Sequence, residues 1–245
     1  MYFDEVQDYE FEIENNIILE RHYGMTVLRD DLLLGGTKSR YLEKIMDPKY
    51  KGYVYASPVY GGFQIALEGV CRKLGKKAVI FTPDRKKVHK NTWRVVDLGA
   101  EVIGIKPGYL NVLQKRAKDF AKRNNYEYLE FGANYPGTID AISETMRKIT
   151  KLMEKEPTSI FCAVGSGTLL KGIIGGTDKA KVYGVQVGKE FNYTHKRFTK
   201  IVYPVGFEYE SKFKSDFPSM PNYDRKALEV AAQLKDDNTL FWNVL

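Results

Sequence analysis

The chain has 245 residues, enough for one large or two small domains, and a formal net charge of +7. Hydrophobic residues make up 43%, charged residues 28% and aromatics 13%, which excludes a disordered or collagen-like chain. No apolar run approaches the ~20 residues that cross a bilayer, and the acidic start Met1-Tyr-Phe-Asp-Glu5 is unlike a signal peptide. Cys71 and Cys162 lie in no CxxC or Cys/His pattern, and His22, His89 and His195 show no metal-ligand spacing. These features predict a protein of a reducing, cytoplasmic compartment with no membrane contact, no disulfide scaffold and no metal. The basic clusters Arg85-Lys86-Lys87 and Lys196-Arg197 could touch nucleic acid. They are short and carry no nucleic-acid-binding signature, so solvated surface is the favoured reading.

Short β-rich runs alternate with amphipathic helices. Strands are expected at Thr26–Arg29 and Tyr53–Ala56, then a helix over Gln64–Leu74 stopped by Gly75. A buried strand Lys77–Thr82 ends at Pro83. A helix Val88–Leu98 closes at Gly99, and a strand follows at Glu101–Ile105. Next come a helix Leu110–Arg123, a strand Tyr126–Leu129 and a long helix Ile139–Glu154. The apolar strand Ser159–Val164 leads through a glycine turn into a helix ending near Gly175. A strand Lys181–Val187, a helix Tyr223–Lys235 and a strand Thr239–Trp242 complete the pattern. The stretch Phe191–Pro221 is irregular, aromatic and basic. Alternation of this kind predicts an α/β fold of parallel sheets with helices on both faces, its chemistry at strand-to-helix loops.

Three such loops stand out. In Leu34-Gly-Gly-Thr-Lys38-Ser-Arg40 two glycines precede a lysine at an expected helix start, where the helix dipole disfavours a protonated amine. A depressed lysine suits nucleophilic attack on an aldehyde; taken alone, the loop reads more readily as a glycine turn with a solvated lysine. The turn Gly165-Ser166-Gly167-Thr168-Leu169 offers backbone N–H groups and hydroxyls to an anion such as phosphate, or simply lets a helix pack closely on a sheet. In Ser57-Pro-Val-Tyr60-Gly61-Gly62 the glycines permit close approach of something planar or anionic. Cys162 in its apolar strand, Trp93 and Trp242 read as packing residues.

Together, Arg29-Asp-Asp-Leu-Leu-Leu-Gly-Gly-Thr-Lys38-Ser-Arg-Tyr-Leu-Glu43, Gly165-Ser-Gly-Thr-Leu-Leu-Lys-Gly172, Tyr223-Asp224-Arg-Lys-Ala-Leu and Leu240-Phe-Trp242 resemble one family. It is the 1-aminocyclopropane-1-carboxylate deaminase and D-cysteine desulfhydrase group of pyridoxal-phosphate (PLP) enzymes, fold type II, the tryptophan synthase β-like fold. The resemblance implies that Lys38 forms the internal aldimine with PLP and that Gly165, Ser166, Gly167, Thr168 and Leu169 hold its phosphate. It also implies that Tyr223 is the active-site tyrosine and that Asp224 faces the pyridine nitrogen. Tyr60, Gly61 and Gly62 fall at the cofactor-facing loop, the two glycines where the family has Ser-Asn and Tyr60 as a possible stand-in for the serine. Thr37 replaces the family's asparagine, and Tyr41 a basic residue beside the phosphate. The sequence ends at Asn243-Val-Leu245, where the family continues through His-Thr-Gly-Gly, so a trimmed site is expected.

The implied architecture is a larger domain of residues 1–47 and 151–245 and a smaller one of 48–150, with the cofactor in the cleft between them and a homodimer as the assembly. The implied activity is a PLP-dependent lyase or deaminase acting on a small amino acid. Two alternatives stand beside it: a PLP enzyme acting on an amino-acyl group carried by a nucleotide or nucleic acid, and a catalytically degenerate protein that binds PLP or a partner without turnover.

Overall fold

The computed structural model describes residues 16–106, 108–153, 155–188 and 190–245. The acidic start Met1–Glu5, and Glu154 at the expected end of a helix, lie outside these residues. Among the described residues no helix is long and apolar enough to cross a membrane.

Two sheets form the framework. The larger contains β1 (Leu19–His22), β2 (Met25–Arg29), β7 (Ser159–Val164), β8 (Lys181–Gln186), β9 (Phe198–Val202) and β10 (Thr239–Asn243), in the order β1-β2-β10-β7-β8-β9. The smaller contains β3 (Gly52–Ala56), β4 (Lys77–Pro83), β5 (Glu101–Ile105) and β6 (Glu127–Leu129), in the order β5-β4-β3-β6. The helices are α1 (Leu42–Ile45), α2 (Phe63–Lys73), α3 (Lys90–Leu98), α4 (Leu110–Asn124), α5 (Pro136–Leu152), α6 (Thr168–Gly175) and α7 (Asp224–Leu234). Every pairing is parallel except that of β1 with β2.

Two strands depart from the sequence reading. β1 is an antiparallel edge strand, and β9 lies within the stretch expected to be irregular. Both sit at the sheet's edges and carry polar residues, Glu20 and Arg21 in one and Thr199 and Lys200 in the other, so neither shows the continuous apolar run of a buried parallel strand.

Alternation along the strands sorts the core. Ile160, Cys162 and Val164 face the same cluster as Trp242 and, from the smaller sheet, Tyr53 and Tyr55. Phe161 and Ala163 face the opposite side, under Ala227, Leu228 and Ala231 of α7. Val54 and Ala56 pack against Leu113, Ala117 and Ala121 of α4. The largest cluster therefore joins both sheets. The register sets Asn243 beside Arg29 and Trp242 beside Cys162, so β2, β10 and β7 deliver their following segments to one edge of the larger sheet. That edge positions the site.

Candidate active site

Lys38 emerges from a short 3-10 turn, Gly36–Arg40, not from the first turn of an α-helix. The helix-dipole argument therefore does not apply. Lys38 keeps some accessible surface, but its amine sits deep within the protein, and that burial lowers its pKa against the opposing pull of Asp224 and Asp30. A freely solvated lysine is excluded.

The turn is held from several sides. Gly35 (φ 83°) and Gly36 (φ 72°) are left-handed, and a Cβ on either would run into backbone, that of Ala66 or the Val244 carbonyl. Asp30, with no exposed surface, accepts from Arg40 Nε at 2.9 Å, Thr37 Oγ1 at 2.6 Å and Trp242 Nε1 at 3.1 Å. Arg29 pairs with Asp31 at 2.8 Å, and Asp31 accepts from Asn243 Nδ2 at 2.7 Å. Thr37 N–H donates to the Val244 carbonyl at 3.0 Å. The residues around Lys38 are thus chiefly a clamp that orients it. Sequence reasoning missed the clamp's partners. Asp30 and Arg40 lay inside the quoted motif, ten residues apart, but nothing local shows that they meet.

Asp224 opens α7 and is fully buried. Its Oδ2 accepts from the Leu245 N–H at 3.1 Å, whereas Oδ1 has no partner among the described residues. Burial pushes this carboxyl above its ordinary range, with Lys38 and backbone donors opposing. Tyr223, one residue earlier, points its hydroxyl toward the Ala163 carbonyl at 3.5 Å, beside Gly165. Burial raises its pKa far enough that the phenol stays protonated. Lys38, Tyr223 and Asp224 are therefore drawn together at the carboxyl edge of β2, β10 and β7.

The glycine turn starts from the same edge. Gly167 (φ 81°) precedes α6, and the N–H groups of Ser166, Gly167 and Thr168 have no hydrogen-bond partner among the described residues. The hydroxyls are already engaged. Thr168 Oγ1 donates to the Gly132 carbonyl at 2.9 Å and lies 3.1 Å from Ser166 Oγ. The Phe191 ring occupies the space that a Gly167 side chain would need. Gly132 and Phe191 carried no sequence signal.

On the smaller sheet, Gly62 precedes α2 and lies against the Leu245 side chain, while Gly61 lies against Ser57 and Pro58. The Gly61 carbonyl accepts from Gln64 Nε2 at 2.9 Å, and Gln64 Oε1 is buried without a partner among the described residues. Tyr60 is 45% exposed; its ring meets His89 edge-on at 5.0 Å, and no hydrogen bond joins its hydroxyl to Lys38, Tyr223 or Asp224 among the described residues. Of the expected packing residues, Cys162 and Trp242 are fully buried, but Trp93 is 57% exposed.

A model of the pyridoxal-phosphate dependent enzymes matches residues 34–206, the greater part of the chain. The chain belongs to this family. A Thermotoga maritima protein named "Putative 1-aminocyclopropane-1-carboxylate deaminase" is 28% identical over 235 residues, covering 89% of this chain and 72% of that protein. Among solved structures, an ACC deaminase homologue superposes with a TM-score of 0.80 at 19% identity, over 94% of this chain and 89% of its own. Threonine deaminase isoform 2 of Solanum lycopersicum gives 0.70 at 14%, over 95% and 79%. Cysteine synthase of Entamoeba histolytica gives 0.69 at 14%, over 100% and 89%. The fold is thus that of the fold type II PLP enzymes, and the cofactor is pyridoxal phosphate. The donor set fits it: a deep-lying amine, and, among the described residues, a buried carboxylate oxygen without a partner and a glycine turn whose N–H groups are unpaired.

Proposed function

We propose that this PLP-dependent enzyme is a lyase or deaminase acting on a small amino acid, with Lys38 as the residue that carries the cofactor. The observation that supports this most is the deep-lying Lys38 amine within the electrostatic reach of the buried Asp224, whose Oδ1 has no partner among the described residues. When bound, the cofactor supplies an electron sink for bond breaking at the amino acid's α-carbon. The lowered pKa of Lys38 leaves more of its amine neutral, so it would be nucleophilic enough to hold the cofactor and basic enough to take up a proton from the substrate's α-carbon. Asp224 Oδ1 would hold a proton on the ring nitrogen, since an adjacent carboxylate favours the charged form.

The phosphate would lie on the N–H groups of the Gly165–Leu169 turn. Ser166 and Thr168 shape that turn through the Gly132 carbonyl. The substrate carboxylate would lie at the start of α2, where the N–H groups of Gly62, Phe63 and Gln64 have no partner among the described residues. The Tyr223 hydroxyl, protonated beside Gly165, is placed to hold or pass a proton.

The test is a visible spectrum of the purified enzyme before and after addition of D- and L-amino acids of up to about five carbons, with assays for ammonia and 2-oxo acid. At least one amino acid should shift the cofactor band and release product. A panel that leaves the band unmoved and releases no product would overturn the assignment to a small amino acid.

A further inference from the structure

A second cleft lies at the carboxyl end of the smaller sheet, apart from the Lys38 turn. The loops after β3 and β4, helix α3 and strand β5 line a half-open cleft of about 260 Å³. Val59, Val88, Trp93 and Val96 give it apolar walls, and Arg85 and Lys87 line it as cations. Trp93 is 57% exposed, Val96 42% and Val88 38%. An apolar patch of this kind, centred on an open indole, is what a ligand-binding surface presents.

Its charge is one-sided. Neither Arg85 nor Lys87 has a carboxylate partner among the described residues. The one carboxylate in the lining, Asp84, is paired with Lys106 at 2.9 Å. His89 adds no cation: burial and Lys90 hold its imidazole below the ordinary value, and Nδ1 accepts the Asn91 N–H at 3.2 Å.

We infer that this cleft binds a flat aromatic ring bearing a phosphate, the ring against Trp93 and the phosphate at Arg85 and Lys87. An indole face receives a planar ring, and a guanidinium beside an ammonium receives a phosphate ester through charge-assisted hydrogen bonds. A cleft of about 260 Å³ has room for one small molecule. Two sources share the chemistry, a nucleoside monophosphate and a free phosphorylated form of the cofactor's own pyridine. The cleft also touches the catalytic side. Asn91 Nδ2 donates to the Tyr60 carbonyl at 3.3 Å and His89 meets the Tyr60 ring, so an occupant bears on the segment that leads into Gly61 and Gly62. The inference stands independently of the proposed reaction.

Calorimetric titration of the cofactor-loaded enzyme tests it. AMP and pyridoxine 5′-phosphate, which has no aldehyde to join a lysine, are the two probes, with adenosine, pyridoxine and inorganic phosphate as controls. At least one phosphate ester should bind saturably, about tenfold or more tightly than its dephosphorylated form and than phosphate. Binding of AMP alone identifies a nucleotide, and binding of pyridoxine 5′-phosphate alone identifies the vitamer. Trp93→Ala should weaken it about tenfold, and Arg85→Ala with Lys87→Ala should abolish the preference for the ester. All three side chains are exposed, so the fold should survive. Trp242, the only other tryptophan, is fully buried, so quenching of emission on binding should vanish in Trp93→Phe. Failure of both esters to bind saturably below about 1 mM, or binding unchanged in the Trp93→Ala and the double variant, overturns the inference.

Discussion

Asp224 is fully buried with one oxygen satisfied by the Leu245 N–H and the other by no group among the described residues. An unpartnered buried acceptor costs on the order of 1–3 kcal/mol, so the position is expensive unless a donor arrives. If that donor is the ring nitrogen, Asp224→Asn should still join the cofactor at Lys38. Its kcat should fall on the order of 10²–10³-fold, the usual scale for removing one preorganised electrostatic partner. Turnover at the wild-type rate would show that the ring nitrogen is met elsewhere. Glu68 on α2 is a different buried carboxyl. Burial raises its pKa to about 7 from 4.5. Between those values the unfolded chain releases the proton while the folded chain keeps it, so stability falls as pH rises through this window and levels off above about 7. Glu68→Gln should remove that dependence and gain on the order of 1–3 kcal/mol at pH 8, read by urea denaturation at pH 5 and pH 8. An equal effect at both pH values would contradict the assignment.

At the scale of elements, the lysine turn depends on a buried ion pair. Asp30 is the common acceptor for Arg40, Thr37 and Trp242. Asp30→Ala leaves the Arg40 guanidinium enclosed without its counter-ion, and should cost about 3–5 kcal/mol in denaturant titrations. A loss below about 1 kcal/mol would show that the clamp is dispensable. The turn before α6 has its own constraint. A side chain at Gly167 meets the Phe191 ring and also requires φ near 81°. Gly167→Ala should therefore lower both stability and cofactor affinity, and adding Phe191→Ala should restore part of each by removing the steric conflict while the backbone strain remains. No recovery in the double variant would mean that backbone strain alone sets the cost.

Across the whole molecule, what the sequence made legible follows burial. Strands such as Ser159–Val164 and Lys77–Pro83 are covered on both faces and read as unbroken apolar runs, so their place between helices was plain. β1 and β9 pair on one side only and carry polar residues there, so they looked like loops. Lys38 drew attention in the sequence because glycines precede it and because its surroundings resemble a known motif. The cause of its lowered pKa was not legible there, since the turn proved to be 3-10 and the effect comes from burial. Contacts such as Asp30 with Trp242, or Thr168 with Gly132, join residues 212 and 36 positions apart and leave no local pattern. Trp93 was misjudged because a tryptophan usually packs; here it lines an open cleft.

The central claim is that Lys38 is the residue that carries the cofactor. Borohydride reduction of the purified enzyme, followed by proteolysis and mass spectrometry, tests it most directly, because reduction fixes the cofactor to whichever lysine holds it. The account predicts a single modified peptide, bearing reduced pyridoxal phosphate on Lys38, and its disappearance together with the visible band in Lys38→Ala. Reduced cofactor on another lysine, or a band that persists in Lys38→Ala, would contradict it.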